Sequence, residues 1–364
     1  MSLESFYYQI INTNRKFYHL PLFAVLKIVS LFYSLVIKGR AWLYQKNILK
    51  VRRLPVPIVS VGNLTLGGTG KTPTTIWIAQ KLLKNGRQPA ILSRGYQAKT
   101  KKKLEIVSDG NSVLMDPKFS GDEPAMMARR LKGVPVIISG DRYEAGLLAI
   151  EKFGVDSLIL DDGYQRLDVN RDLNILLIDH SHRLEDDRIF PAGTLREPIS
   201  EAGRADLICF TRANADCPDP LIKSFSDKPI IKSQTTIKSL TNIELKETKS
   251  IDDLKGLRVC AFCGIAQPGK FKKLLEFYGA KVVNFSSYPD HYDFKTEDIK
   301  NVEEIARNCE AEIILTTEKD SVKLLEFSFS MPLLVVILDL KWVEGEEILN
   351  RLLSNESFFL KSSN

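Results

Sequence analysis

The chain has 364 residues, 44% hydrophobic and 26% charged, which excludes a disordered chain, a collagen-like fibre and a polytopic membrane protein and leaves room for two domains. The net charge of +6 is uneven: residues 1–53 hold nine basic residues against one acid, Glu4, leaving 42 basic and 44 acidic residues beyond them. The pattern predicts a near-neutral globule with a basic arm, and a slightly acidic globule argues against a nucleic-acid partner. Ten of the 32 aromatic residues also lie in the first 50. The five cysteines (Cys209, Cys217, Cys260, Cys263, Cys309) include one C-x-x-C and no second. They read as strand and loop thiols of a reducing compartment rather than a zinc or redox site.

Residues 20–37, LPLFAVLKIVSLFYSLVI, carry a single charge, Lys27, and just reach the length of a membrane-spanning helix. They begin too far from the first residue for a secretory signal. Lys27, Ser30, Ser34 and Lys38 recur at helical spacing. That stripe predicts a helix lying in a membrane interface, with its basic groups toward lipid phosphates.

From Pro55 onward, β-branched runs alternate with helical stretches. Strands are expected at 58–61, 90–92, 134–138, 157–160, 173–178 and 207–210, and helices at 74–84, 123–131 and 143–153. Residues 98–120 read as a long polar loop with a solvated lysine cluster at 99–103. Residues 212–255 carry few sheet signals and are expected to cross between domains. A second α/β unit follows, with a strand at 259–262, a turn at 263–269, a helix at 271–278 and strands at 281–285, 312–315 and 333–338. The fold class expected is α/β: a P-loop NTPase-like, mostly parallel sheet with helices on both faces, a smaller C-terminal α/β domain and an N-terminal membrane-associating helix. The domains expected are the arm at 1–53, the P-loop core at 54–225 and the smaller domain at 226–364.

The strongest chemical signal is GNLTLGGTGKTP at residues 62–73, between a strand and a helix. Backbone N–H groups of Gly67, Gly68, Thr69 and Gly70 can wrap a phosphate, because glycine permits close approach and positive φ. The following helix N-terminus adds partial positive charge. Lys71 would reach the β- and γ-phosphates and Thr72 would bind Mg²⁺. Pro73 is tolerated in the first helical turn. Thr65 stands where the usual pattern has glycine. The Gly67-Gly68 pair is similar to that of partitioning and metal-chaperone ATPases, which carry a lysine where this chain has Leu66. Asp161-Asp162-Gly163 then end an apolar strand at 158–160, where open α/β sheets bind their ligands. One carboxylate suits Mg²⁺ and the other water or a neighbour; the spacing leaves open which is which.

In chain order stand Gly67-Gly68-Thr69-Gly70-Lys71-Thr72-Pro73, Ser93-Arg94-Gly95-Tyr96, Gly121-Asp122-Glu123-Pro124, Asp141-Arg142, Asp161-Asp162-Gly163-Tyr164-Gln165, residues 191–198 (PAGTLREP), Asp290-His291-Tyr292 and Thr316-Thr317-Glu318-Lys319-Asp320. This ordered set resembles the tetraacyldisaccharide 4'-kinases, the lipid A 4'-kinases of Gram-negative bacteria, over most of the chain. The resemblance implies an enzyme on the cytoplasmic face of the inner membrane. It would use ATP and Mg²⁺ to phosphorylate the 4'-hydroxyl of a tetraacylated glucosamine disaccharide 1-phosphate, and a monomer is expected. The resemblance points to Asp122 as the base that accepts the hydroxyl proton. Its partner would be His291 in the second domain, so that the pair forms across a cleft between domains. Arg94, Arg142 and Arg196 suit the substrate and transferring phosphates. Gln165 would orient a phosphate or water, and Glu197 would tie its loop to the metal site. Two features depart from the family: the Asp- and Arg-rich stretch 180–189, and Thr194 in place of a common proline. Two rivals are a kinase or ligase for a soluble metabolite and a membrane-bound partitioning ATPase. Leu66 and the Asp122/His291 pair argue against the second.

Overall fold

The computed structural model describes residues 3–11, 16–100, 102–182, 184–213 and 227–354. Cys217 and the expected domain boundary at 225/226 lie outside the described residues. The chain runs α1 (Leu3–Ile11), α2 (Leu20–Gln45), β1 (Ile58–Asn63), α3 (Lys71–Lys84), β2 (Pro89–Ser93), β3 (Leu104–Asp109), α4 (Pro117–Ser120), α5 (Asp122–Arg130), β4 (Pro135–Ser139) and α6 (Arg142–Phe153). It continues through β5 (Ser157–Asp161), β6 (Leu173–Asp179), β7 (Leu207–Thr211), β8 (Ile230–Thr241), β9 (Thr248–Lys249), β10 (Arg258–Cys263), α7 (Pro268–Phe277) and β11 (Lys281–Ser287). The last elements are α8 (Thr296–Asn308), β12 (Ile313–Thr317), α9 (Glu318–Ser321), β13 (Leu333–Glu344) and α10 (Glu346–Ser354). The α/β class and the mostly parallel pairing are as expected.

The chain forms two compact units, and it passes between them at 71/72, 161/162, 233/234 and 341/342. The first takes residues 1–71, 162–233 and 342–364; the second takes 72–161 and 234–341.

In the first unit β1, β6, β7 and the start of β8 pair in parallel, with Val61 opposite Ile175 and Leu177 opposite Cys209. Every residue of β1, β6 and β7 is buried, which is why they read as near-continuous apolar runs. Tyr164, Leu64, Leu176, Ile178, Leu195 and Phe210 build the adjoining core. Gly62 is required here, because a Cβ at this position would stand 2.6 Å from that of Tyr164. The chain after β5 therefore lies directly on β1, and Gly163 N–H donates to the Val61 carbonyl at 2.9 Å.

The arm docks on the 189–196 loop of the same unit. Tyr7 OH donates to the Gly193 carbonyl (2.7 Å), Ser30 Oγ to that of Ile189 (2.6 Å) and Tyr33 OH to that of Arg196 (3.2 Å). Ile10, Phe23 and Ala192 form a small core beneath it. The expected polar stripe is thus reversed in part. Ser30 and Ser34 are buried on the protein side, where small side chains let the helix approach closely. Lys27 and Lys38 are exposed, and the outer surface is a row of exposed apolar residues: Leu22, Val25, Ile28, Val29, Leu31, Phe32, Leu35 and Val36.

In the second unit β5, β2 and β4 run parallel, and β3 closes the edge antiparallel to β4. β3 and α4 occupy the segment 98–120, expected as a loop. β3 carries only two fully buried residues, so its apolar signal is that of a half-covered edge strand. β11, β10, β12 and β13 form a parallel group, and β8 pairs antiparallel with β9. β8 lies in the stretch 212–255, where few sheet signals were expected; its Thr- and Ser-rich sequence hides β-branched residues that suit a pleated surface. α8 was not among the expected elements, although Ile299, Val302 and Ala306 bury one helical face. α5 holds the two parts of this unit together. Half-buried Arg130 donates to Glu318 Oε2 at 2.9 Å and to the Leu338 carbonyl at 2.6 Å, and Arg129 donates to the Ile243 carbonyl at 2.5 Å.

Candidate active site

In the first unit the turn after β1 is shaped by glycines at positive φ, Gly67 (96°) and Gly70 (82°). Its base is stapled to the 194–196 segment: Leu66 N–H donates to the Thr194 carbonyl (2.8 Å) and Arg196 N–H to that of Leu64 (2.6 Å). Thr211, at the tip of β7, donates its hydroxyl to the Thr69 carbonyl at 3.0 Å. The Thr69 hydroxyl is itself buried with no hydrogen-bond partner among the described residues, a donor aimed at no protein acceptor. The surface of Gly67 and Gly68 is open, with no atom within 4 Å of where a Cβ would stand.

Lys71 points back along this turn, 3.4 Å from Asn63 Oδ1 and 3.6 Å from Asp162 Oδ1. Arg196 Nη1 bonds both oxygens of Asp162, at 3.0 and 2.8 Å. Asp162 therefore sits between two cations at a positive φ of 51°. Gln165 donates to the Asn63 carbonyl at 2.8 Å. Glu197 is buried and paired with Arg204. Burial pushes its carboxyl above the usual range despite that cation. The two departures from the family pattern meet here: Asp187 accepts the N–H of Thr194 at 2.9 Å and also its hydroxyl, with His182 Nε2 at 2.8 Å.

In the second unit Asp161 is 2% exposed at the end of β5. Thr75 and Ser93 hydroxyls donate to its two oxygens at 3.3 and 3.0 Å. Thr72 is buried in the first turn of α3. Arg94 is exposed just past β2. Arg142 is buried at the start of α6, and its guanidinium donates to the Ser139 carbonyl.

Asp122 opens α5 after Gly121, which sits at φ 88° with the Tyr96 carbonyl 2.7 Å from where a Cβ would stand. Only glycine fits, and the close approach brings the Tyr96 loop over the helix start. Asp122 Oδ2 receives His291 Nδ1 at 2.9 Å and Lys323 Nζ at 3.2 Å. Its other oxygen, Oδ1, takes no hydrogen bond among the described residues. Burial alone would raise this carboxyl; the His291 hydrogen bond and the Lys323 charge outweigh it and hold it below the usual carboxylate range. His291 has φ 59°, and its N–H donates to the Gly264 carbonyl at 3.2 Å and to Asp290 Oδ1 at 3.0 Å. Asp122 and His291 lie in one compact unit, so the pair does not form across two domains as the sequence suggested.

Sequence reasoning quoted Lys319 within the 316–320 motif without giving it a role, and did not name Lys323. Their spacing of four on and just past α9 was the available signal, since it places both on one helical face. Sequence reasoning quoted Ser93 in the same way and did not name Thr75; both hold Asp161.

A family model described as tetraacyldisaccharide-1-P 4'-kinase matches residues 22–357. A protein of Pelobacter propionicus named tetraacyldisaccharide 4'-kinase is 44% identical over 318 residues, covering 86% of each chain. One of the same name from Aquifex aeolicus is 42% identical over 295 residues, covering 81% of this chain and 88% of that one. The solved structure of LpxK from Aquifex aeolicus in complex with ATP aligns with a TM-score of 0.79 at 38% identity, over 93% of this chain and 99% of that one.

Proposed function

The chain belongs to the tetraacyldisaccharide-1-P 4'-kinase family, and from that premise we propose how its own residues carry the reaction. The enzyme binds ATP and transfers its γ-phosphate to the 4'-hydroxyl of a tetraacyldisaccharide 1-phosphate in lipid A biosynthesis. Phosphoryl transfer needs positioning and charge neutralisation more than covalent chemistry. The main-chain amides of 67–70 and the unpartnered Thr69 hydroxyl suit phosphate oxygens. Lys71 leaves Asp162 for the β- and γ-phosphates, and Arg196 neutralises charge that grows in the transition state.

Thr72, Asp161 and Asp162 offer only hard oxygens, the donor type that Mg²⁺ prefers. Among the described residues no three His, Cys, Asp or Glu side chains gather to hold an ion alone, so the fit is to an ion that also keeps phosphate oxygens and water. When bound, Mg²⁺ would supply positive charge that offsets the charge of the ATP phosphates. Asp161 accepts the neutral Thr75 and Ser93 hydroxyls, whereas Asp162 is held by the cations Arg196 and Lys71, so the donor set suits the ion through either carboxylate.

The observation that carries the assignment of the base is the Asp122–His291 hydrogen bond at 2.9 Å, with Asp122 Oδ1 left unbonded. A carboxylate held below its usual range is a weak base in the ground state. It suits a proton that leaves the hydroxyl late, once the O–P bond is forming. Arg94 is exposed and would reach the substrate phosphate. Arg142 is buried, with Nη1 on the Ser139 carbonyl, and would act by holding the start of α6.

We also read α2 as the membrane anchor on the cytoplasmic face. Among the described residues the stretch Phe17–Gln45 is long and apolar enough to cross a bilayer. A row of exposed apolar residues of this size signals an interaction surface, and the basic residues around it favour an anionic lipid surface. One experiment tests both readings: transfer from labelled ATP to the disaccharide 1-phosphate, presented in detergent or in anionic vesicles. Transfer to the sugar is expected in both. Phe32→Ser with Val36→Ser should lose activity on vesicles and keep it in detergent. No transfer to the sugar in either medium overturns the kinase reading; equal loss in both media overturns the anchor.

A further inference from the structure

His291 has a second neighbour that the base assignment does not use. Lys319 Nζ stands 3.1 Å from His291 Nε2 and 2.8 Å from Asp290 Oδ1. An ammonium carries only donors. A hydrogen bond at that distance therefore requires a bare lone pair on Nε2, and the ring proton of the neutral imidazole must sit on Nδ1. Nδ1 faces Asp122 Oδ2 at 2.9 Å, so the imidazole donates to the carboxylate.

The surroundings hold this arrangement in place. Burial opposes the Lys319 charge, but Asp290, Glu123 and Asp122 outweigh it and keep the ammonium protonated. Asp290 Oδ2 is 3.8 Å from Nε2, the Tyr96 ring meets the imidazole edge-on at 5.6 Å between centroids, and Lys323 completes the shell on the Asp122 side. Asp320, fully buried, receives Gly264 N–H at 3.0 Å and the Thr317 hydroxyl at 2.6 Å, and stands 3.4 Å from Lys323. One short segment, 317–323, thus places a cation on each member of the pair.

We propose that Lys319 is a positioning residue that locks His291 as the neutral Nδ1–H tautomer, so that the sugar-hydroxyl proton ends on Asp122 Oδ1 and is not relayed to the imidazole. As the sugar O–P bond forms, the bond between the γ-phosphorus and the ADP oxygen breaks. The hydroxyl proton moves to Oδ1, and the carboxyl later returns it to water. Both donors to Asp122, His291 Nδ1 and Lys323 Nζ, lie on Oδ2, which leaves Oδ1 as the accepting atom. This inference rests on Asp122 being the base. Without the Lys319 cation Nε2 faces Asp290 alone, a carboxylate that can accept an Nε2–H.

Nitrogen-15 spectra of the histidine-labelled full chain test this directly, with His291→Gln identifying the signal. The expected wild-type spectrum at neutral pH shows a protonated Nδ1 and a bare Nε2. Lys319→Met should give a mixture of the two tautomers. It should also lower kcat on the order of ten-fold, the loss usual when a supporting partner is removed, with KM for ATP unchanged. Lys319→Arg should retain the wild-type spectrum. A wild-type His291 protonated on Nε2, or a folded Lys319→Met with an unchanged His291 spectrum, overturns the proposal. Near-normal turnover in Asp122→Ala would overturn the base assignment itself. Loss of turnover there, combined with an unchanged Lys319→Met spectrum, would overturn this inference alone.

Discussion

The turn at 62–71 and the cluster around Asp122 handle charge in opposite ways. The turn is neutral main chain: glycine φ angles, amides and one buried hydroxyl, with Lys71 as its single strong charge. The cluster is side chain throughout, with Asp122, Asp290, Asp320, His291, Lys319 and Lys323 arranged so that every buried acid meets a donor. A cradle of amides recognises an anion without placing a fixed counter-charge beside it. A cluster of mutually neutralised groups instead sets where one proton sits. The difference teaches that damage should spread differently: within the turn it falls on turnover, and within the cluster it falls on turnover and folding together.

Lys71→Ala should show the largest effect, a fall in kcat on the order of 10³-fold, with the melting temperature little changed because the Lys71 contacts to Asn63 and Asp162 are long. Steady-state kinetics beside a thermal scan checks this; a large stability loss would break the contrast. Lys323→Met should lower both. It strips the cation from buried Asp122 and Asp320, and breaking such a pair costs about 3 kcal/mol. The loss should depend on pH. The Asp122 carboxyl is held low when folded, so its contribution is fully present above the unfolded value of about 3.9 and is lost as pH falls through the folded value. Denaturant titration of wild type and variant should therefore converge toward low pH. Gly121→Ala is the smallest, about 1–3 kcal/mol for the strained φ, and should lower kcat beyond that because it pushes the Tyr96 loop off the start of α5.

The turn was legible because amides that wrap one phosphate must be consecutive, so the signal lies within a dozen residues. The strand tip at 161–162 was legible for the same reason, but the partners of its two carboxylates were not, since Thr75 and Ser93 reach Asp161 while Arg196 and Lys71 reach Asp162. The Asp122–His291 pair is 169 residues apart in sequence; only the family resemblance named it, and the family could not show that both lie in one compact unit. Lys319 and Lys323 share a helical face by spacing, yet spacing does not say which carboxylates meet them. The arm gives a parallel case. Its period marks Ser30 and Ser34 as a stripe, but periodicity does not reveal whether a stripe faces lipid, water or protein. β3 and β8 escaped because one is a half-covered edge and the other is rich in Thr and Ser.

The most direct test of Asp122 as the base is single-turnover transfer to the 4'-hydroxyl by Asp122→Ala, with ATP affinity measured in parallel. The expected result is a rate lower by about 10²–10⁴-fold with ATP binding near that of the wild type. A rate within a few-fold of the wild type would contradict it.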